Sequence, residues 1–180
     1  MARIFLSLGS NLTNREENIR RATGLLNHND IRLTRISPIY QTAPVGATSL
    51  LGLGIVFGIK QPNFLNCVLE ASTDYAPNQL LRTVLKIEKI LGRRRVPGMT
   101  NLARKIDIDI LFYDDMIINQ SMLKIPHPRL HERAFVLIPL CDLEPNLVHP
   151  VLNKTVKDLL NSISKNGVAL WQGQDSKILA

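Results

Sequence analysis

The spacing of apolar residues predicts strands and helices that alternate through the first half of the chain. Residues 3–8 place Ile4, Leu6 and Leu8 on one face, which predicts a strand that ends at a turn. Asn14 followed by Glu17 resembles a capping box and predicts a helix over residues 15–27. Residues 31–40, interrupted at Pro38, and residues 64–72 predict a second and a third strand.

The second half continues the pattern. A helix is predicted from Pro77 to just before Gly92, since proline suits a first helical turn and glycine suits the position after a helix. Residues 105–113 predict a strand with Ile106, Ile108, Ile110 and Phe112 on one side. We expect a loop at residues 42–63, a hairpin or edge strand at 117–125, helices at 133–140 and 155–163, and a last strand at 168–171.

The order β-α-β-β-α-β favours an α+β fold, with an antiparallel-rich sheet backed by helices in the ferredoxin-like manner. The 180 residues suit a single domain, which we expect to span residues 1–180. Cys67 and Cys141 are too few for a disulfide framework, so we expect buried thiols in a reduced, cytoplasmic protein. The apolar stretch at residues 50–59 is too short for a membrane span, and we expect no membrane partner.

The formal net charge of +7 favours acidic partners, which include nucleic acid and phosphorylated small molecules. Asp107 and Asp109 lie two residues apart on a predicted strand and therefore share a face. Their mutual repulsion would be relieved by Mg²⁺, which prefers one or two carboxylates together with water and phosphate oxygens. Spacing alone also allows an ordinary acidic strand edge that faces solvent.

Basic residues flank this strand in the sequence. Arg93, Arg94 and Arg95 follow Gly92, and Arg104 precedes the aspartates. Arginine binds phosphate oxygens bidentately, so paired acids beside arginines indicate phosphate transfer from ATP, although a basic run alone is more often only solvated. His127 and His131 lack the further ligands of a zinc site.

Several further motifs occur in order along the chain. They are LGSNL at residues 8–12, YQTAPVG at 40–46, QPNFLN at 61–66, LGR at 91–93, RKIDIDIL at 104–111, PHPR at 126–129 and ERAF at 132–135. Together they resemble the 6-hydroxymethyl-7,8-dihydropterin pyrophosphokinase family of folate synthesis. The resemblance covers residues 3–150. It implies transfer of the pyrophosphoryl group of ATP to the hydroxymethyl group of the pterin, with release of AMP. It also implies a ferredoxin-like core in a three-layer α-β-α arrangement.

The resemblance also implies roles for individual residues. Two Mg²⁺ ions would be held by Asp107 and Asp109, and the residues acting on the phosphates would be Arg93, Arg95 and Arg104. The pterin would be sandwiched by Phe64 and Phe135, and its edge would be read by Asn66, Thr42 and the backbone around Ala43 and Val45. Nucleotide contacts are implied for Arg104, Ile110, His127 and Arg133, with Glu88 beside the site.

The chain departs from the family pattern in three places. The segment around residues 48–60 is longer and more apolar than usual, Asn101, Leu102 and Ala103 replace a more typical sequence, and Met122 and Lys124 replace residues that contact nucleotide in some members. Two other classes of function explain fewer of these residues. A nucleic-acid binding sheet would show exposed aromatics where this strand has aspartates. A pterin aldolase would not require the aspartates and arginines. We expect a monomer that binds ATP and a hydroxymethyl pterin, and no nucleic acid.

Overall fold

The computed structural model describes residues 1–44, 55–56, 59–93 and 103–173. Within these ranges the helices and strands follow in the order β1 (Ala2–Ser10), α1 (Arg15–His28), β2 (Ile31–Ile36), β3 (Tyr40–Thr42), β4 (Ile55–Val56), β5 (Ile59–Lys60), β6 (Phe64–Thr73), α2 (Pro77–Ile90), β7 (Asp107–Tyr113), β8 (Ile118–Asn119), β9 (Lys124–Ile125), α3 (Ala134–Leu143), β10 (Val148–His149), β11 (Lys154–Thr155), α4 (Val156–Asn161) and β12 (Val168–Leu170).

The main sheet is antiparallel, with the strand order β12-β3-β6-β1-β7, and β2 also pairs with β6. This is the strand order expected of a ferredoxin-like core. Apolar residues of α1 and α2 pack on one face of the sheet, and those of α3 and α4 pack on the other. The structure therefore confirms the predicted α+β class and has three layers, with the sheet between two pairs of helices.

Local sequence explains how the helices begin and end. The Asn14 side chain accepts a hydrogen bond from the backbone N–H of Glu17 at 3.2 Å, but the Glu17 carboxylate turns to Arg20, so only half of the capping box forms. Pro77 opens α2, and Gly92 follows it with φ +88°, a left-handed conformation that glycine adopts without strain. These features set the ends of the helices that cover one face of the sheet.

A β-bulge in β7 corrects one prediction. Phe5 of β1 pairs with Phe112, but Leu6 pairs with Ile110, so Leu111 is an extra residue in β7. The bulge reverses the alternation, and Phe112 packs with Phe5 in the core beneath α3 and α4. The prediction that Phe112 shares a face with Ile108 and Ile110 was therefore wrong, because their side chains lie in the opposite core.

Some of the remaining elements agree with the sequence pattern, and one segment predicted to be a loop contains two short strands. Strands β8 and β9 form the predicted hairpin, and β12 is the predicted last strand. Strands β4 and β5 pair within the segment predicted to be a loop, whose residues 45–54 and 57–58 lie outside the described ranges. Among the described residues, no helix has the length and apolar character needed to cross a membrane.

Candidate active site

Three residues lie in register across the centre of the sheet. Gly9 of β1 pairs with Asn66 of β6 on one side and with Asp107 of β7 on the other. Residues paired in this way project to the same face of the sheet, and adjacent strands lie about 5 Å apart. Because Gly9 has no side chain, a gap separates the amide of Asn66 from the carboxylate of Asp107. A Cβ at Gly9 would lie 2.9 Å from Asn66 Oδ1.

The Asn66 side of the row contains three of the residues predicted to bind pterin. Thr42 pairs with Phe64 between β3 and β6, and Asn66 Nδ2 donates a hydrogen bond to Thr42 Oγ1 at 2.8 Å. Thr42 and Asn66 are buried, whereas Phe64 is half-buried. The Asn66 bond to Thr42 fixes the orientation of the amide, so that its oxygen is the acceptor facing the gap above Gly9.

Two arginines pair with Asp107. Arg93 Nη1 donates to Asp107 Oδ1 and also to Glu88 Oε1, and Arg104 Nη1 donates to Asp107 Oδ2. Glu88 is buried on α2 and accepts a second bond from the backbone N–H of Ile108 at 2.8 Å. Glu88 therefore ties α2 to the aspartate strand between Asp107 and Asp109, and it orients Arg93 towards the site.

The second aspartate has a different environment. Arg133 Nη1 lies 3.4 Å from Asp109 Oδ2, and His127 Nε2 lies 3.9 Å from the same oxygen. Burial raises the pKa of Asp109 to about 6, and the charge of Asp107 adds to this rise, while the nearby arginines oppose it. Burial of Asp109 and its closeness to Asp107 therefore disfavour the ionised form of this carboxyl in the absence of a further cation.

His127 is a neutral imidazole in this site. Burial lowers the pKa of His127 to about 4, and Arg133 adds to this effect. His127 Nδ1 accepts a bond from the backbone N–H of Arg129 at 3.2 Å, which assigns the proton to Nε2 on the Asp109 side. The imidazole can therefore donate one hydrogen bond towards a phosphate oxygen. The described residues contain no group of three or more His, Cys, Asp or Glu side chains placed to hold a metal ion.

Each aspartate is linked to an aromatic ring through an arginine. The Arg104 guanidinium pairs with Asp107 and lies 6.0 Å from the centroid of the Phe64 ring. The Arg133 guanidinium lies beside Asp109 and 5.6 Å from the centroid of the Phe135 ring. The two rings predicted to sandwich a pterin are thus connected to the two carboxylates predicted to hold Mg²⁺.

Asn11 connects the segment before β6, at Pro62, to the segment before β7, at Arg104. The sequence pattern did not predict this role. The backbone N–H of Arg104 donates to Asn11 Oδ1 at 2.7 Å, and the N–H of Asn11 donates to the Arg104 carbonyl at 3.1 Å. Asn11 Nδ2 also donates to the Pro62 carbonyl at 3.3 Å. Its position two residues after Gly9 in the LGSNL motif is the signal that marks it.

A cavity of about 270 Å³ lies beside Asp109, between α2, β7 and the β8–β9 hairpin. It includes Ile110 and His127, both predicted to contact nucleotide. The sequence reasoning missed Leu81 and Leu85, which come from α2 and are spaced by one helical turn. Its full lining is Leu81, Leu85, Ile108, Asp109, Ile110, Ser121, Met122, Leu123, Lys124, His127 and Pro128.

Other predicted residues lie outside this cavity or outside the described residues. Glu88 is buried against Arg93 and Ile108 and does not line this cavity, and Ala43 is exposed at the end of β3. Val45 and Arg95 fall outside the described residues, as do residues 48–54 of the apolar segment and the departures at Asn101 and Leu102.

Comparisons with known proteins indicate the sequence family of the chain. Residues 5–145 match the sequence family described as 7,8-dihydro-6-hydroxymethylpterin-pyrophosphokinase (HPPK). A relative from Aquifex aeolicus, the 2-amino-4-hydroxy-6-hydroxymethyldihydropteridine pyrophosphokinase, is 37% identical over 158 residues, which are 88% of this chain and 90% of that protein. The folic acid synthesis protein fol1 of Schizosaccharomyces pombe is 35% identical over 96% of this chain, which spans only 22% of that protein.

A solved structure has a similar fold. The crystal structure of wild-type Plasmodium falciparum HPPK-DHPS has a TM-score of 0.67 and 18% sequence identity, and the match covers 89% of this chain and 44% of that chain. This likeness supports the fold alone, while the sequence matches carry the assignment. The chain belongs to the 7,8-dihydro-6-hydroxymethylpterin-pyrophosphokinase family.

Proposed function

We propose that the chain transfers the pyrophosphoryl group of ATP to 6-hydroxymethyl-7,8-dihydropterin, producing the pterin diphosphate and AMP in folate biosynthesis. The row of Asn66, Gly9 and Asp107 carries this proposal together with the family membership. It places an amide suited to a heterocycle about two strand spacings from a carboxylate suited to Mg²⁺, or roughly 10 Å. A pterin held at Asn66 can direct its hydroxymethyl group across Gly9 towards phosphates held at Asp107.

The pterin slot combines stacking with edge recognition. Phe64 and Phe135 supply flat apolar surfaces, while Asn66 and Thr42 supply acceptors and donors for the ring edge. The bond from Asn66 to Thr42 orients the amide before the substrate arrives, which lowers the entropy lost on binding. Backbone groups around Ala43 and Val45 complete the edge recognition in this proposal.

The aspartate pair fits Mg²⁺. Asp107 and Asp109 share a face of β7, and a divalent cation beside Asp109 would offset the burial and the repulsion by Asp107 that raise its pKa. Two Mg²⁺ ions held by these carboxylates would screen the charge of the ATP phosphates and orient them. Both aspartates are ligands in this proposal and neither is a general base.

Three arginines lie beside the two carboxylates that would hold the phosphates through Mg²⁺. Arg93 and Arg104 lie at Asp107, and Arg133 lies at Asp109, so cationic groups flank both carboxylates. Guanidinium groups in these positions would stabilise the charge of the transferring group and hold the β-phosphorus in line with the acceptor hydroxyl. Arg95 would add to this set. The nucleotide would occupy the cavity beside Ile110 and His127, where Leu81 and Leu85 offer an apolar wall.

The proposal also covers the state of the protein. We infer a monomeric enzyme in a reduced cytoplasm, in which residues 1–180 form one domain. Cys67 is fully buried without a disulfide partner, and burial raises the pKa of its thiol to about 12, so this cysteine needs no oxidising compartment.

The test is an assay that reports AMP and pterin diphosphate in the presence of ATP and Mg²⁺. We expect AMP only when the hydroxymethyl pterin is added, and no product after chelation of the metal. Asp107→Ala and Asp109→Ala should each lower kcat at least about a hundredfold. Asp115→Ala removes an exposed aspartate two residues beyond β7 and is the matched control. Wild-type turnover in both aspartate variants would refute the metal assignment.

A further inference from the structure

The C-terminal strand β12 lies beyond residues 5–145, which match the family, yet it pairs with a strand of the candidate pterin slot. Val168 is in register with Thr42 and Leu170 with Tyr40. The backbone N–H of Trp171 then donates to the Ile39 carbonyl at 2.9 Å. Strand β3 has only three residues, so β12 on one side and β6 on the other together determine where Thr42 lies.

Trp171 continues this contact with its side chain. The indole N–H donates to Glu16 Oε1 at the start of α1, and the Arg15 guanidinium lies 5.0 Å from the centroid of the indole ring. An arginine over a tryptophan face is attracted by the electron density of the ring. The tail is therefore attached to the first turn of α1 by two different interactions with adjacent residues.

Arg15 also contacts two residues next to the pterin slot. Its Nη1 donates to the Asn63 carbonyl at 2.8 Å and lies 3.5 Å from Gln41 Oε1. Asn63 directly precedes Phe64, and Gln41 directly precedes Thr42. One guanidinium thus contacts the indole of the tail and the residues before both slot residues, an arrangement we call the Arg15–Trp171 clasp.

We propose that the Arg15–Trp171 clasp positions Thr42 and Phe64 for pterin binding, so that the C-terminal segment sets the affinity for the pterin without contacting it. Arg15, Glu16 and Trp171 are positioning residues and not catalytic residues. The inference rests on the proposed pterin slot. ATP would bind on the other side of Asp109, beside α2 and the β8–β9 hairpin, so the clasp should act on one substrate only.

Gly173 allows the clasp to be opened without changing any of its three side chains. A Cβ at this position would collide with Glu16 Oε1 and Trp171 Nε1. Gly173→Ala should therefore displace the indole from Glu16, as Trp171→Ala does by removing it. Trp171→Phe keeps an aromatic face for Arg15 and loses only the N–H donor.

The experiment measures KM for the hydroxymethyl pterin, KM for ATP and kcat, below the unfolding temperature of each variant. Trp171→Ala and Gly173→Ala should raise the pterin KM about tenfold and leave kcat and the ATP KM within about twofold of wild type. Trp171→Phe should recover most of the pterin affinity. Leu170→Ala alters an exposed side chain of the same strand and should behave as wild type.

Trp171 is the only tryptophan in the chain, so its fluorescence reports the clasp directly. Arg15→Ala should change the emission of Trp171 and raise the pterin KM together. A changed emission with an unchanged pterin KM would overturn the positioning role. Equal increases in the KM for the pterin and the KM for ATP, in proportion to the loss of folded protein, would overturn it as well. If the wild-type enzyme fails to use the pterin at all, the proposed function fails instead.

Discussion

Glu88 on α2 accepts a hydrogen bond from the backbone N–H of Ile108 at 2.8 Å, between the two aspartates of β7. Glu88 is buried and also receives Arg93. Glu88→Ala would leave the Ile108 N–H and the Arg93 guanidinium without this partner, so it should lower the free energy of unfolding by about 3 kcal/mol. Glu88→Gln keeps an acceptor for Ile108 and should cost about 1 kcal/mol.

Urea unfolding of the two variants measures this difference. Lys89→Ala, at the next position of α2, removes an exposed side chain and should stay within about 0.5 kcal/mol of wild type. Equal destabilisation by Glu88→Ala and Glu88→Gln would show that the charge of Glu88 matters and that the bond to Ile108 does not.

The sequence predicts local features of this site well. The spacing of Asp107 and Asp109 requires only the two-residue period of a strand, and the structure places both on one face of β7. The helix that carries Glu88 follows from its apolar face, from Pro77 and from Gly92. These features depend on neighbouring residues, whose chemistry can be seen in the sequence.

The rest depends on how distant segments pair, which local patterns do not encode. The alignment of Asn66, Gly9 and Asp107 requires the register of three strands. The bulge at Leu111 reverses the side-chain alternation of β7, and an unbroken run of apolar residues cannot reveal such a shift. Similarly, the apolar residues at 168–171 predict a strand but not its pairing with β3.

The raised pKa of Asp109 predicts that Mg²⁺ binding depends on pH. Only the ionised carboxylate binds the cation, so affinity should be nearly constant above pH 7 and fall about tenfold by pH 5, one unit below a pKa of about 6. His127, whose pKa is lowered to about 4, stays neutral over this range and should not contribute. Calorimetric titration with Mg²⁺ and a non-hydrolysable ATP analogue measures the profile.

In the absence of metal, the stability of the folded protein should fall as the pH rises and Asp109 ionises. This is opposite in direction to the pH dependence of Mg²⁺ affinity. The pKa of Asp109 is raised above its ordinary value of 3.8, so its favourable contribution is complete below that value and is lost as the pH rises through about 6. Mg²⁺ should therefore raise the unfolding temperature more at pH 7.5 than at pH 5. Asp109→Asn should remove this pH dependence, and a profile that persists in the variant would assign it to another group.

The ion pairs of Glu70 predict a contribution to folding stability that is lost in acid. They lie on the face of the sheet covered by α3. Burial would raise the pKa of Glu70, but hydrogen bonds from Arg35 and Arg3 hold it below its ordinary value of 4.5. Both arginines also reach Glu144 after α3, which links β1, β2 and β6 to that helix. Glu70→Gln should lower the free energy of unfolding by about 2 kcal/mol. This value lies between those of an exposed ion pair and a fully buried one.

The contribution of Glu70 should be fully present above pH 4.5 and be lost as the pH falls through its lowered folded-state pKa. Urea unfolding of wild type and Glu70→Gln should therefore show a difference that shrinks in acid. Glu17→Gln affects an exposed pair with Arg20 and should leave the free energy of unfolding close to that of wild type. A difference that is the same at pH 7 and pH 3.5 would exclude ionisation of Glu70 as its source.

The absence of a side chain at Gly9 predicts that Gly9→Ala lowers the affinity for the pterin by an effect separate from any change in stability. In Gly9→Ala the new Cβ would lie 2.9 Å from Asn66 Oδ1 and 3.8 Å from the Phe64 ring. Because Asn66 Oδ1 ends a side chain, the amide can turn away and the chain can still fold, but the bond from Asn66 to Thr42 is then strained. The pterin KM should rise about tenfold or more, while the ATP KM stays within about twofold.

Gly24→Ala is the matched control for Gly9→Ala. Gly24 is exposed on α1, and a Cβ there would meet no atom within 4 Å. Since alanine favours the helix, this variant should gain about 0.5–1 kcal/mol of stability and keep wild-type kinetics. Steady-state kinetics with each substrate varied in turn, beside urea unfolding, separate the two effects. If Gly9→Ala raised the KM for the pterin and the KM for ATP in parallel, the substitution would act by distorting the sheet as a whole. The gap above Gly9 would then have no specific role in pterin binding.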